Sequence, residues 1–267
     1  MLKDITLGQY YPVKSVIHKL DPRVKLFGTL LFIISMFISM NIALYALATV
    51  FLVSVIKLSR VPLKFMLRGL KAIIIVLVIS VLVHMFTTPG HVILKVWKLT
   101  ITDTGLRNAA FIFVRLIYLI IGSSIMTLTT TPGNLTDGME KGLSFLSKIH
   151  FPVHDFAMII SIALRFIPIL VDETDKIMKA QMARGADFES GGFVKRAKAL
   201  IPLLVPLLLS AVRRASDLAL AMEARCYTGS DKRTKLHPLK YKKRDYIAYL
   251  VLFAYLAGCI VTRVLLG

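Results

Sequence analysis

Uncharged apolar runs alternate with short basic segments along much of this chain, and the pattern predicts membrane-spanning helices. The longest run, residues 26–56, carries no charge over 31 positions. A span needs about 20 residues to cross a hydrocarbon core of about 30 Å. The run is therefore too long for one span, and we expect a helical hairpin that turns near Asn41. Further runs cover residues 72–88, 116–131 and 246–262, which gives about five spans.

Composition and charge support this interpretation and orient the chain. Apolar residues make up 56% of the 267 positions, and the mean hydropathy of +0.72 is far above that of a soluble domain. Lys and Arg precede and follow the first hairpin, and cytoplasmic loops hold the excess of these residues. We therefore expect a multi-pass protein of the cell membrane with a cytoplasmic N-terminus, an external loop at residues 87–104 and an external C-terminus.

The net charge of +19 has a simple explanation in this topology. The basic residues flank spans and are not interleaved with aromatic residues, so we expect contact with anionic lipid and no binding of nucleic acid. The two cysteines, Cys226 and Cys259, fall on opposite sides of the predicted membrane, so the sequence indicates neither a disulfide nor a metal site.

The pattern divides the chain into three parts: residues 1–131, an N-terminal membrane domain of about four spans; residues 132–245, a cytoplasmic domain; and residues 246–267, a C-terminal transmembrane helix. The cytoplasmic part contains two long helical runs, residues 156–183 and 193–225. Their apolar cores are shorter than a span. These helices are therefore predicted to lie along the membrane face or against partner helices.

Prolines and small residues mark the two runs. Pro168 lies in the first run, and Pro202 and Pro206 are expected to bend the second. In the second run a stripe of mostly small residues recurs at spacings of three and four: Ala211, Ala215, Leu218 and Met222. Small residues permit close helix crossing. Ordinary core packing explains the same spacing.

Each long run ends in a similar triplet, Ala183-Arg184-Gly185 and Ala224-Arg225-Cys226. A cation at a helix C-terminus complements the helix dipole, so a simple cap is one interpretation. The recurrence favours another, because the planar guanidinium of Arg is suited to a carboxylate or carbonyl of a partner. We predict that Arg184 and Arg225 are docking tips.

A family resemblance rests on several motifs. The chain resembles the T component (EcfT, also the CbiQ type) of energy-coupling factor transporters, whose motifs are matched by Gly8-Gln9-Tyr10 with Ser15 and His18, Leu20-Asp21-Pro22-Arg23-Val24-Lys25, residues 163–168 with Glu173, residues 180–185, Arg214-Ala215 and residues 221–225. Cys226 departs from the pattern, because family members commonly have Gly or Ser after the second Arg.

The resemblance implies an all-α membrane protein with about five transmembrane helices and a cytoplasmic coupling domain of long, crossed amphipathic helices. It would be a non-catalytic scaffold without a cofactor. It would link two ABC-type ATPases to a membrane S component that binds a vitamin or a transition metal for uptake. The two triplets would contact the ATPases, and Pro168, Pro202, Pro206 and the small-residue stripe would serve helix crossing and S-component contact.

The sequence agrees with a chain that does not itself bind ATP. The segment 133–138 resembles a phosphate-binding loop, but Met139 stands where that loop requires Lys.

Other functions remain compatible with the pattern. One is a conventional ABC permease half that forms the solute path. A second is a stand-alone channel or secondary carrier with a basic cytoplasmic regulatory domain, and a third is a structural adaptor. Arg115 lies inside an apolar run, where a charge is either paired for a function or extends toward the headgroups.

Overall fold

Helices form where the apolar runs predict them. The structure, a computed structural model, describes residues 10–38, 40–96, 99–149, 152–188, 192, 200–229 and 238–266. Within these residues the α-helices are α1 Pro22–Ser35, α2 Ile42–Ser59, α3 Leu63–Thr87, α4 Asp103–Thr129, α5 Pro132–Gly142, α6 Val153–Ala183, α7 Ile201–Ala224 and α8 Lys243–Leu266, with a 3₁₀ helix at Ser144–Ile149. The predicted all-helical membrane fold is confirmed.

The predicted helical hairpin is present and turns where expected. Helix α1 begins at Pro22, which suits the first turn because proline has no backbone N–H to leave unpaired. The chain turns after α1, and the Asn41 side chain accepts a hydrogen bond from the backbone N–H of Ala43 at 3.4 Å, which caps α2. At 14 residues, α1 is only about 21 Å long.

Among the described residues, four helices are long and apolar enough to cross a membrane, namely α2, α4, α6 and α8, and Ile73–Thr87 of α3 is a shorter apolar helix. This agrees with about five spans. The helical run predicted at residues 156–183 is longer than expected, because α6 begins at Val153. The prediction that its apolar core is shorter than a span is wrong, since this helix of 31 residues contains an apolar window of 18 residues that is long enough to cross a membrane.

The loop predicted at residues 87–104 contains a short β-hairpin. Strands β1, Val92–Val96, and β2, Leu99–Thr102, pair antiparallel, with an irregular register between Val92 and Leu94. The Thr102 hydroxyl donates to the Thr88 carbonyl at 2.8 Å and accepts from the backbone N–H of Gly105 at 3.0 Å. The hairpin thus ends on the residue that caps α4, and α3 packs along α4.

The chain forms two compact units. The first contains residues 8–142 and 239–267, and its core lies among α1, α2, α4 and α8. Phe32 stacks on Phe51 with ring centroids 5.9 Å apart, and Phe51 stacks on Tyr255 at 4.4 Å. The Tyr255 hydroxyl is hydrogen-bonded to the Ser35 hydroxyl at 2.8 Å, which satisfies two buried polar groups inside the apolar core.

One end of this first unit is held by charged residues, here called the basic end: Asp21, Arg23, Lys25, Arg244 and Asp245. Asp21 accepts from the backbone N–H and the guanidinium of Arg23 at 2.9–3.1 Å. The buried Asp245 carboxylate accepts from the backbone N–H of Asp21 at 2.9 Å. These bonds join the start of α1 to the start of α8, although the residues are 224 positions apart.

The second unit contains the described residues from Leu143 to Pro238, and α6 and α7 dominate it. Two contacts set their direction. Arg214 of α7 is 3.1 Å from Glu173 of α6, and the Tyr227 hydroxyl after α7 contacts the sulfur of Met158 at 3.4 Å. Residue numbers fall along α6 as they rise along α7, so the two helices run antiparallel.

Candidate functional site

The first triplet forms a complete helix terminus. Helix α6 ends at Ala183, and Gly185 adopts a left-handed conformation with φ of +88°. The backbone N–H of Gly185 donates to the Met182 carbonyl at 2.9 Å, and that of Ala186 donates to the Gln181 carbonyl at 3.0 Å. This pair of bonds is the Schellman motif, which glycine favours because it has no Cβ to clash. Gly185 ends the helix as predicted.

The second triplet has the same geometry without a glycine. The backbone N–H of Cys226 donates to the Glu223 carbonyl at 2.8 Å, and that of Tyr227 donates to the Met222 carbonyl at 3.0 Å. Cys226 takes φ of +56°, a conformation that costs an L-residue roughly 1–2 kcal/mol. Replacement of glycine by cysteine therefore changes the local energy but leaves the shape of this tip unchanged.

Both tips are accessible. Arg184 and Arg225 are exposed, as are the residues on either side of each. Within the part of the chain that the structure describes, neither guanidinium makes a hydrogen bond or an ion pair. Two arginine donor forks are thus presented by rigid helix ends, an arrangement suited to binding carboxylates or carbonyls of partner proteins.

The ion pair between Glu173 and Arg214 lies midway between the tips. Arg184 follows Glu173 by eleven residues, and Arg225 follows Arg214 by eleven residues. At 1.5 Å per residue each tip is about 16 Å from the level of the ion pair. Because the helices are antiparallel, the tips point in opposite directions and are separated by roughly 33 Å along the pair.

The predicted crossing residues occupy different environments on the two helices. Pro168 lies inside α6 and Pro206 inside α7, whereas Pro202 lies in the first turn of α7, which begins at Ile201. Residues 193–199, at the start of the predicted second run, are outside the described residues. The half-buried residues of α7 include Pro206, Ala211, Leu218 and Met222, while Pro168, Pro202 and Ala215 are exposed.

Arg214 takes the place in this half-buried stripe that the spacing suggested for Ala215. Its guanidinium donates to the Glu173 carboxylate at 3.1 Å. Sequence reasoning noted both residues as motif members but did not pair them. Glu173 and Arg214 are 41 residues apart, as are Arg184 and Arg225. This equal separation is the sequence signal that relates the ion pair to the two tips.

The first half of α7 presents an apolar surface. Leu203 is buried, but the residues around it are largely accessible: Ile201, Leu204, Val205, Leu208, Leu209 and Val212 are 53–66% exposed. A continuous surface of this kind marks a site of contact with membrane or protein.

Ser15 and His18, which belong to the N-terminal family motif, form hydrogen bonds that hold the N-terminal segment in place. The Ser15 hydroxyl bonds to Nδ1 of His18 at 2.7 Å, and Nε2 of His18 bonds to the Tyr11 carbonyl at 2.9 Å. Donation from Nε2 and acceptance at Nδ1 require the neutral imidazole. Burial lowers the pKa of His18, which favours that form. The backbone N–H of Tyr11 donates to the Leu128 carbonyl at 2.9 Å, so the motif fastens the N-terminal segment to the end of α4.

Arg115, the charge within an apolar run, is paired. Its Nε donates to the Tyr45 hydroxyl at 3.1 Å, and its guanidinium lies 5.1 Å from the centroid of the Phe37 ring. Phe37 is in the turn after α1, and Tyr45 is near the start of α2. The arginine therefore fastens α4 to the turn of the helical hairpin.

The segment that resembles a phosphate-binding loop is part of a helix. Residues 133–138 lie in α5, which begins after Thr131 and packs on α1. The Thr131 hydroxyl accepts from the backbone N–H of Asn134 at 3.3 Å, a helix cap. A phosphate-binding loop presents its N–H groups to the ligand, whereas α5 engages most of its own in helical bonds.

Comparison with known proteins agrees with the motifs. The family model described as cobalt transport protein, CbiQ, matches residues 13–236. A protein of Heliobacterium modesticaldum is 52% identical over 92% of both chains, one of Clostridium kluyveri is 50% identical over the full length of both, and one of Bacillus subtilis is 46% identical over 92% of this chain and 93% of its own. Each is named energy-coupling factor transporter transmembrane protein EcfT. The chain therefore belongs to the EcfT family and is the transmembrane T component of an energy-coupling factor transporter.

Proposed function

We propose that this T component transmits ATP-driven motion from two ABC-type ATPases to a membrane S component that binds the transported substrate. The observation that carries the proposal is the repetition of one exposed tip geometry at Arg184 and Arg225. Two equivalent tips suit two equivalent ATPase subunits. ATP hydrolysis then belongs to those partners and not to this chain.

The antiparallel pair α6 and α7 suits the transmission of movement. Each tip lies eleven residues beyond a member of the Glu173–Arg214 ion pair. A displacement of one tip would therefore move a helix that is joined to its partner helix at the ion pair. The proposed crossing residues extend along the same helices. Closure of the two ATPases would move the tips, and the helix pair would carry that movement to the S component.

The exposed apolar surface of α7 supports contact with the S component. Its residues from Ile201 to Val212 present large aliphatic side chains on a helix that buries Leu203. In this proposal the segment 132–245 works from the cytoplasmic side, so α6 lies along the membrane face or against partner helices although it is long enough to cross. The spans are then α1, α2, α3, α4 and α8, which requires a cytoplasmic N-terminus and an external C-terminus. The transported substrate is a vitamin or a transition metal, and the description cobalt transport protein supports the latter class.

Reversing both tip charges tests the proposal. The tagged full-length chain is purified from cells that co-express the candidate ATPases and S component, in parallel with the Arg184→Glu, Arg225→Glu double variant. Acidic sites on the ATPases would repel the new carboxylates. We expect recovery of ATPase with the double variant to fall at least tenfold. Each single variant should retain an intermediate amount.

A matched control has the same change of charge away from the tips. Lys176→Glu with Arg213→Glu reverses one exposed cation on each helix, and this variant should recover ATPase like the wild type. The proposal is wrong if the doubly reversed tips still recover both ATPases in wild-type amounts. Substrate uptake by the chain without any ATPase would favour a stand-alone carrier.

A further inference from the structure

An apolar cavity of about 250 Å³ lies within the first unit, among α1, α2, α4 and α8. Along each helix the lining extends from the basic end toward the middle. On α1 it runs from Val24 to Phe32, and on α8 from Arg244 to Leu252. A rise of eight residues along a helix corresponds to a depth of about 12 Å. The cavity is therefore a narrow apolar slot with cations at one end.

The part of the cavity farthest from the basic end is lined by apolar residues. Its lining includes Phe32, Phe51, Val55, Gly122, Ile125 and Leu252. Gly122 lets the Phe32 ring lie close against α4, because a Cβ there would lie 2.8 Å from that ring. Such a surface favours a flexible hydrocarbon chain, since a polar group placed there would lose its hydrogen bonds to water.

The two cations at the basic end of the cavity lack a carboxylate partner. Within the described residues, neither Lys25 nor Arg244 makes an ion pair, and the buried Nε of Arg244 has no hydrogen-bond partner. Lys25 Nζ donates to the carbonyls of Thr129 at 2.8 Å and His18 at 3.3 Å. The adjacent Asp245 carboxylate accepts from the backbone N–H groups of Asp21 and Lys242.

The electrostatics at this end favour an added anion. Lys25 precedes the uncharged run of the hairpin, and burial together with the charge of Arg244 lowers its pKa to about 8. Asp21 and Asp245 oppose that shift without cancelling it. An anion between the two cations would relieve their repulsion and would satisfy donors that are partly shielded from water.

We propose that this cavity binds an anionic phospholipid, with the phosphate between Lys25 and Arg244 and the first part of one acyl chain in the apolar slot. The chemistry of the two ends requires a ligand that is both acidic and aliphatic, which a free phosphate is not. Basic ends of membrane helices also lie where anionic headgroups are concentrated. The bound lipid would connect α1 to α8 where Asp21 and Asp245 already join them.

Lipid titration into the purified full-length protein tests this site. Phosphatidylglycerol and phosphatidylcholine are added in detergent, and bound lipid is measured by native mass spectrometry. We expect the wild type to bind phosphatidylglycerol at least tenfold more tightly. Arg244→Gln should remove about tenfold of that affinity, because a charge-assisted contact is lost. Lys243→Gln, which changes the neighbouring exposed charge outside the lining, should bind like the wild type.

A second variant tests the apolar slot. Ala248 lines the cavity, so Ala248→Phe should fill it and weaken both lipids. If Arg244→Gln and Lys243→Gln lower the affinity for phosphatidylglycerol equally, the proposal is overturned, because diffuse surface charge would then account for the binding. Displacement of the lipid by an equal concentration of glycerol phosphate would also overturn it, since a free anion would then suffice. If Ala248→Phe fails to fold, the two charge variants and the glycerol phosphate competition decide.

Discussion

The two units of this protein differ in how their helices are stabilised. In the first unit α1, α2, α4 and α8 share a core that includes Phe32, Leu44 and Tyr255. In the second unit, the 31 described residues of α6 bury only Val153 and Ala157, and the 24 of α7 bury only Leu203. Both units leave large apolar side chains exposed, including those of α3 and α8 in the first unit. Only the first unit also has an internal core, whereas the two long helices of the second bury almost none of their residues.

The difference indicates where each unit obtains its stability. Most helical stability in proteins comes from packing of an apolar face, so a helix with little buried surface requires a partner or a membrane. The α6–α7 pair has its ion pair and its capped ends, which set direction and length. Its remaining surfaces are available for contacts outside this chain, which agrees with a subunit of a transporter complex.

Paired leucine truncations test this contrast and should give the largest effect. Leu44 is fully buried in α2, and Leu208 is 66% exposed in α7. Leu44→Ala leaves a cavity and should lower the free energy of unfolding by about 2–5 kcal/mol. Leu208→Ala should change it by less than about 0.5 kcal/mol. Thermal or denaturant unfolding of the purified protein in one detergent measures both values.

Similar losses for the two variants would contradict the contrast, because they would indicate an internal core in the second unit. A further readout sharpens it. If the α7 surface contacts the S component, Leu208→Ala should lower recovery of that component while leaving unfolding unchanged.

Opposite changes at the two tips should have an intermediate effect. Gly185→Ala places a Cβ in a left-handed conformation, whereas Cys226→Gly removes one. The first should destabilise its helix end by about 1 kcal/mol, and the second should stabilise its end by a similar amount. Hydrogen exchange of the amides in the last turn of α6 and of α7 measures each end separately.

The sign of the two effects is the decisive result. Effects of the same sign would show that the tips do not share the backbone geometry described above. As a control, Ala186→Ser changes a residue next to the first tip without changing the left-handed position, and it should leave the exchange of the α6 end nearly unchanged.

The ion pair between Glu173 and Arg214 should contribute least to stability. Its side chains are 26% and 36% exposed, and exposed pairs are typically worth about 0.2–1 kcal/mol. A double-mutant cycle of Glu173→Gln and Arg214→Gln should give a coupling energy of about 0.5 kcal/mol in unfolding experiments. Substrate uptake by the reconstituted complex should fall by more than this coupling energy accounts for, because the ion pair joins α6 to α7 midway between the two tips.

The exchanged pair, Glu173→Arg with Arg214→Glu, is the control for that prediction. It restores the attraction and should recover part of the uptake. A coupling energy of zero, together with normal uptake in both single variants, would remove the pair from the mechanism.

Local features were predictable because their causes are local. The absence of charge over residues 26–56 required a hairpin, and Asn41 could cap the second helix from its own side chain. Gly185 could end a helix because it lacks a Cβ. The family could be recognised from the motifs at the ends of α6 and α7 and before α1. Each of these conclusions depends on residues that are close together in the sequence.

Other features depend on residues that are distant in sequence. Three such hydrogen bonds join residues 70, 41 and 224 positions apart. They are formed by Arg115 with Tyr45, by Arg214 with Glu173, and by Asp21 with Asp245. Helical periodicity alone places Arg214 and Ala215 on adjacent faces and does not say which one faces α6. The β-hairpin before α4 likewise depends on the pairing of β1 with β2, which the sequence pattern of this loop did not predict.

The amino-acid order alone was sufficient to establish a helical membrane protein, the approximate number of spans, the turn of the first hairpin, the end of α6 and the family. Each follows from hydrophobic length, charge distribution or the conformational freedom of single residues. The direction of α6 against α7, the midway position of their ion pair, the left-handed Cys226 and the apolar cavity beside Lys25 and Arg244 emerged only from the folded chain. They depend on which side chains meet across long separations, and packing free energy selects those contacts among many that the same pattern allows.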